Sequence, residues 1–224
     1  DPSPNTFTID VTPQSDATPD AVNDWATVAK GGTVEVLTFD LAADWSDAAN
    51  PHSLWSYNDS CCPITVHQTN WGSHVPVWHD QDAWALAATG FGHIVAWLKA
   101  DRTLGAPWDV GAGDVLTHTW DGYSGTPDRS NLSTATWTAP SAGSYDFSGS
   151  FWQAYYVGRS ADASVFVNGV PFASVSLSDE AGFSRNAPFT FGATGVSLSA
   201  GDTIELRFVT TSPAGTLVGV DFAV

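Results

Sequence analysis

The sequence predicts an all-β protein built from antiparallel strands, on three observations. Residues 133–151, STATWTAPSAGSYDFSGSF, hold two strand-like runs joined by a Pro-Ser-Ala-Gly corner; Trp137 closes the first run, and Tyr145, Phe147 and Phe151 alternate with polar residues in the second. Alternation at period two marks a sheet with one face in a core and the other in water. Asn168-Gly169 stands between two apolar runs, ADASVFV and VPFASVSL, and Asn-Gly accepts the positive φ that a tight hairpin demands at both turn positions. Of the 24 acidic residues only Glu35, Glu180 and Glu205 are Glu. So strong a bias to Asp suits turns, where the short carboxylate bonds its own backbone, better than helices.

At 224 residues, 43% of them apolar, the chain is long enough for one large β domain with a full core. Its formal charge of −17 rests on 24 acids against Lys30, Lys99 and five Arg. Such a surface repels phosphate backbones and anionic lipid, which excludes nucleic acid and membrane surfaces as expected partners. No apolar run approaches the roughly 20 residues of a membrane-spanning helix, so no membrane insertion of the mature chain is expected. The chain lacks Met and begins DPSPNTF, from which a processed, exported protein of the cell surface or extracellular space is expected. The cysteines, Cys61 and Cys62, are adjacent. They are expected to form a vicinal disulfide, a bridge to another subunit, or two free thiols, with the disulfides favoured in an oxidising compartment.

In chain order, Phe7, Ile9 and Val11 alternate between prolines at 2, 4 and 13, which predicts a terminal edge strand. Such a strand pairs locally or is lent to a neighbouring molecule. Thr18, Pro19 and Asp20 carry N-cap, N1 and first-turn character, Val22, Trp25, Ala26 and Ala29 share a helical face, and Gly31 suits the C′ position. One short N-terminal helix is therefore expected. TVEVLTFDL, residues 33–41, reads as a buried strand, and residues 42–58 are rich in turns and aromatics. Between Ile64 and Trp108, ITVHQTNW, HVPVWHD and HIVAWLKA read as strands, while DAWALAAT fits a strand or a short helix. VLTHTW, a second hairpin through Ala200-Gly201-Asp202 and a final strand TLVGVDFAV complete the chain. The expected organisation is a strand and helix over residues 1–32 packed on a β-sandwich of residues 33–224, a single domain overall.

The blocks FDLAADWSDAANPHSLWSYN, VLTHTWDG, STATWTAPSAGSYDFSGSF, ADASVFVNGVPF and LSAGDTIELRF together resemble the β-sandwich module of exported bacterial proteins that carry PEP-CTERM sorting tails. The resemblance covers residues 38–60 and 112–224 and identifies architecture more than activity. It implies an antiparallel jelly-roll-like β-sandwich, similar to carbohydrate-binding modules, working at the cell surface on polysaccharide or matrix. This chain departs from the pattern in lacking the sorting tail, in the Cys61-Cys62 pair and in the segment before Thr33. The resemblance also implies one structural calcium, with Asp40, Asp44 and Asp221 as ligand candidates by analogy.

No His-x-His, HExxH or Gly-x-Ser-x-Gly pattern is present, and His74 and His79 lie on opposite faces if they share a strand. A non-catalytic protein is expected. Sugar rings stack their C–H faces on aromatics while nearby polar groups bind hydroxyls. Three clusters have that composition: Trp55 and Tyr57 beside Asn58; His118 and Trp120 beside Asp121; and Trp152 with Tyr155 and Tyr156. The opposing expectation is a self-assembling fibre or biofilm matrix in which Phe7, Ile9 and Val11 fill a groove on a neighbouring copy.

Overall fold

The computed structural model describes residues 8–10, 25–27, 38–73, 75–78, 80–87, 95–120 and 132–224. The chain forms two compact units, Asp1–Thr38 and Phe39–Val224. In the first, β1 (Thr8–Asp10) pairs antiparallel with β2 (Trp25–Thr27), placing Ile9 opposite Ala26. The helix expected through Trp25 and Ala26 is therefore a strand there. Its apolar spacing fits both periods, Trp25 and Thr27 favour extended backbone, and pairing with β1 satisfies the backbone. The rest of that expected helix, with Phe7 and Val11, lies outside the described residues. Ile9 pairs within its own chain.

The second unit is an antiparallel sandwich. Its strands are β3 (Trp55–Asp59), β4 (Cys62–Pro63), β5 (His67–Trp71), β6 (Gln81–Ala85), β7 (Ala96–Lys99), β8 (Val115–His118), β9 (Leu132–Thr138), β10 (Gly143–Gln153), β11 (Ser160–Val167), β12 (Val170–Ser178), β13 (Phe189–Leu198), β14 (Thr203–Thr210) and β15 (Leu217–Ala223). Seven form one sheet in the order β13-β10-β15-β8-β7-β6-β5, and six form the other in the order β12-β11-β14-β9-β3-β4. From β8 onward the chain alternates between the sheets except at the β11–β12 hairpin, a jelly-roll-like path. Phe39–Leu41 runs beside the end of β15, with Phe39 N–H donating to the Val224 carbonyl at 2.9 Å.

Asn168 (φ 50°) and Gly169 (φ 75°) turn the β11–β12 hairpin, as expected. The two other corners differ from expectation. β9 and β10 lie in opposite sheets, as do β13 and β14, so Pro140–Ala142 and Ala200–Asp202 arch over the core rather than close hairpins. The same turn residues serve both geometries. The two arches are tied together: Ala139 N–H donates to Asp202 O at 2.8 Å and Gly201 N–H to Ala139 O at 2.9 Å. Within HVPVWHD, Pro76–Trp78 is a 3₁₀ turn and not a strand, as Pro76 cannot donate to a ladder, while His74 and His79 lie outside the described residues. The first four residues of DAWALAAT lie in strand β6.

The main core lies between the sheets, where Trp55, Trp97, Trp137, Tyr57, Phe151, Phe208 and Phe222 are fully buried. A second apolar cluster covers the outer face of the seven-stranded sheet. There Ala83, Ala85, Ala96, Leu98 and Leu116 from the sheet pack with Trp71, Trp78, Val110 and Trp152. Sheets buried on both faces need apolar residues at both parities, which β7 has. Cys61 and Cys62 are disulfide-bonded to each other in the exposed turn between β3 and β4. No helix among the described residues is long and apolar enough to cross a membrane.

Candidate functional site

Strand parity decides the fate of the first aromatic cluster. Trp55 (1% exposed) and Tyr57 (0%) point into the core from β3, while Ser56 and Asn58 have the opposite parity and Asn58 is itself buried, donating to Thr134 and Thr136. Trp55 donates its indole N–H to Asp44 Oδ2 at 3.1 Å, and the Tyr57 ring lies 4.5 Å from Trp45 and 5.6 Å from Trp97. Neither side chain offers a face to a sugar in this structure; packing accounts for both. His118 is buried beneath the second cluster, its ring 5.8 Å from Trp71, and Trp120 is half-buried against the main core. Asp121 lies outside the described residues.

The third cluster divides. Trp152 points out of the seven-stranded sheet but is buried, its indole covering Gly219 and donating to Asp109 O at 3.0 Å. Tyr155 and Tyr156, just beyond the end of β10, are half-buried at the rim. The structure adds Trp108 to them. Its ring stacks on Tyr155 with centroids 5.3 Å apart and planes 8° from parallel. The two chain segments are laced by backbone bonds, Asp109 N–H to Ala154 O at 3.0 Å and Tyr156 N–H to Pro107 O at 2.8 Å. Nothing local in sequence joins Trp108 to Tyr155. The usable signal is weaker: a Trp beside Pro107 in a segment bounded by Gly105 and Gly111, the composition of an exposed loop.

Polar groups frame this aromatic pair. Arg159 lies 5.7 Å over the Tyr155 ring and donates to Gly215 O at 2.6 Å. The Tyr156 hydroxyl donates to Phe183 O at 3.3 Å and to Asp109 Oδ2 at 3.5 Å; burial, then the Asp109 carboxylate, holds its pKa above the ordinary tyrosine value. Asp109 Oδ2 also accepts the Arg185 backbone N–H at 2.8 Å. Arg185 grips Asp114 through two bonds of 2.7 and 2.9 Å. A Cβ on Gly111 would lie 2.7 Å from that guanidinium, so glycine makes room for the clasp. Asp179 accepts the Gly158 N–H at 2.6 Å, fixing the far end of the Tyr155–Gly158 segment. An aromatic surface is thus held by bonds from three separate loops. Such a surface suits a ligand with an apolar face and several hydroxyls.

The calcium candidates have other duties. Asp40 Oδ1 accepts Ala42 and Ala43 N–H at 2.9 and 2.6 Å, and Asp44 Oδ2 accepts the Trp55 indole and the Asp40 N–H. Asp221 sits on β15, its pKa pushed up to about 6 by burial and then by the charges of Asp40 and Asp114. Among the described residues no group of three or more His, Cys, Asp and Glu side chains is arranged to hold a metal ion.

No protein-family model matches the chain, and no curated protein matches it. Solved structures with partial likeness include three carbohydrate-active proteins. The C-terminal CBM6 of LamC from Zobellia galactanivorans is 16% identical over 49% of this chain and 77% of that one, TM-score 0.26. A family 35 carbohydrate-binding module from Clostridium thermocellum is 14% identical over 58% and 86%, TM-score 0.29. The exo-β-1,3-galactanase of Phanerochaete chrysosporium is 14% identical over 59% and 26%, TM-score 0.30. Likeness at this level carries no argument about this chain, and none of these matches bears on PEP-CTERM sorting. The fold rests on its own two sheets.

Proposed function

We propose that this chain is a non-catalytic carbohydrate-binding module of the cell exterior, engaging polysaccharide at the rim formed by Trp108, Tyr155 and Tyr156. The observation that carries the proposal is the parallel, stacked Trp108–Tyr155 pair, half-buried at the rim and braced by Trp152 and Asp109. An aromatic pair held in register by backbone bonds loses little freedom when a flat ligand settles on it, which lowers the cost of binding. The nearest carboxylates, Asp109, Asp114 and Asp179, serve in structural hydrogen bonds, which favours binding over hydrolysis. The acidic surface favours a neutral or cationic glycan over a polyanionic one. Export, the matrix setting and a bound calcium belong to this proposal as well.

The test is affinity electrophoresis and a glycan array with the full chain, followed by titration of the best ligand. Trp108→Ala and Tyr155→Ala are each expected to weaken binding at least about tenfold, the scale of one lost aromatic contact. Trp120→Ala is expected to leave affinity within about twofold, a difference near 0.4 kcal/mol. Absence of binding to every glycan, or equal loss from all three variants, would sink the proposal.

A further inference from the structure

The terminal strand of the six-stranded sheet, β12, has β11 on one side and, among the described residues, no strand on the other. Its nine residues, VPFASVSLS, carry no charge in a chain of net charge −17. The two most exposed large apolar side chains among the described residues also stand on it, Val170 at 66% and Phe172 at 43%. A long, uncharged edge with exposed apolar residues is the kind of strand that natural proteins ordinarily blunt. Pro171 and the irregular register beside Val165 and Phe166 do blunt its beginning. From Ala173 onward no proline, charge or register shift within the strand does.

We infer that β12 is an interface through which two copies of this chain pair edge to edge, antiparallel about a two-fold axis at Val175. The occupant follows from the sequence of the strand. An isologous contact requires residue i to meet j and j to meet i. Centred on Val175, the stretch Ala-Ser-Val-Ser-Leu sets Ser174 against Ser176 of the second copy on the outer face and Ala173 against Leu177 on the core face, each pair twice. Hydroxyl meets hydroxyl, and apolar meets apolar. Charge permits this edge as well. The nearest acid on the outer face is Asp162 of β11, which accepts the Ser176 hydroxyl at 2.6 Å. Two such carboxylates would stand three strand spacings apart, about 14 Å, beyond the roughly 8 Å screening length at physiological salt. The terminal strand of the seven-stranded sheet, β13, fits less well. Gly192 and Gly195 lie in it, and the Asp146 carboxylate binds the Gly195 N–H at 2.6 Å, placing a charge beside that edge. Pairing at β12 would join two six-stranded sheets into one continuous sheet and carry two rim sites on one particle.

Sedimentation velocity of the full chain over a concentration series is the test. The unmodified chain is expected to show a monomer–dimer equilibrium that tightens as salt is raised and like-charge repulsion is screened. Ser174→Asp, which sets a like charge against Asp162 of the second copy beside Ser176, is expected to raise the dissociation constant at least about tenfold with an unchanged near-ultraviolet circular dichroism spectrum. Ser174→Glu, which carries the same charge on a longer side chain, serves as the second variant and should act the same way. Thr190→Lys on β13 should leave the dimer intact. A chain that stays monomeric at every concentration overturns the inference, as do species larger than a dimer, a dimer that survives both folded Ser174 variants, or one dissociated by Thr190→Lys.

Discussion

Gly219→Ala is expected to cost the sandwich about 3 kcal/mol or more, lowering the melting temperature by roughly 10 °C. A Cβ built on Gly219 would fall inside the Trp152 indole, against Cε2, Cζ2 and Cδ2. Gly219 pairs with Trp152 across the β10–β15 ladder, so the backbone cannot retreat without breaking the register that runs from Ser148↔Ala223 to Gln153↔Val218. The indole has to move instead. Moving it empties part of the second apolar cluster and breaks the Nε1–H bond to the Asp109 carbonyl, next to Trp108. The same substitution should therefore loosen the proposed rim and reduce glycan affinity, linking a buried glycine to a surface activity. Trp152→Leu in the same background returns space to the methyl group. The double variant is expected to be more stable than the sum of the two single losses predicts, because the residues share one volume. Thermal denaturation of all four proteins checks this, and strictly additive losses would refute the steric account.

The period-two grammar made the β class readable, together with the phase of β9 and β10, and Asn168-Gly169 identified the one hairpin its residues specify. At Pro140–Ala142 and Ala200–Asp202 turn chemistry fixes a local reversal and not the sheet to which the next strand goes, so a hairpin expected at Ala200–Asp202 is an arch. That choice depends on which face each strand buries, a property of the whole sandwich. The second apolar cluster did leave a trace. HIVAWLKA and DAWALAAT are apolar at both parities, which marks a sheet covered on two faces, although it does not say by what. The aromatic clusters were harder for the same reason. Trp55 and Tyr57 share a parity with the core, whereas Tyr155 and Tyr156 follow the end of β10 and reach the rim. Composition around an aromatic says little about exposure, and position relative to a strand end says much more. Trp108 had no such guide, since its partner Tyr155 is brought to it by a bridge between distant segments.

Asp221→Asn is expected to stabilise the protein at neutral pH and to leave its stability nearly unchanged in acid. Asp221 lies on the outer face of β15, where burial is the main cause and the charges of Asp40 and Asp114 the lesser causes of a pKa raised from 3.8 to about 6. A carboxyl group with a higher pKa folded than unfolded binds its proton more tightly in the folded state. Its contribution to stability is complete below the unfolded value and is lost as pH rises through about 6. Above that, the folded chain carries an anion that the unfolded chain would hold in water. The full shift corresponds to about 3 kcal/mol, and partial exposure reduces the expected gain to about 2 kcal/mol at pH 7. Asparagine keeps the oxygen that accepts the Phe222 N–H and removes the charge, so the gain isolates electrostatics from packing. Denaturant titrations between pH 4 and pH 8 would follow it, with the curves of parent and variant converging at the acid end. A difference that stays constant across that range would mean that desolvation and the charges of Asp40 and Asp114 do not govern this site. The contribution of Asp221 to the parent's stability therefore falls from about pH 4 through about pH 6, the opposite of the trend set by a carboxylate that is salt-bridged in the native state. The Asp114–Arg185 clasp sits beside this group and ties it to the rim. Removing the charge at position 221 lifts a repulsion from Asp114 without touching its bonds to Arg185, so glycan affinity of the variant is expected to match that of the parent at pH 7.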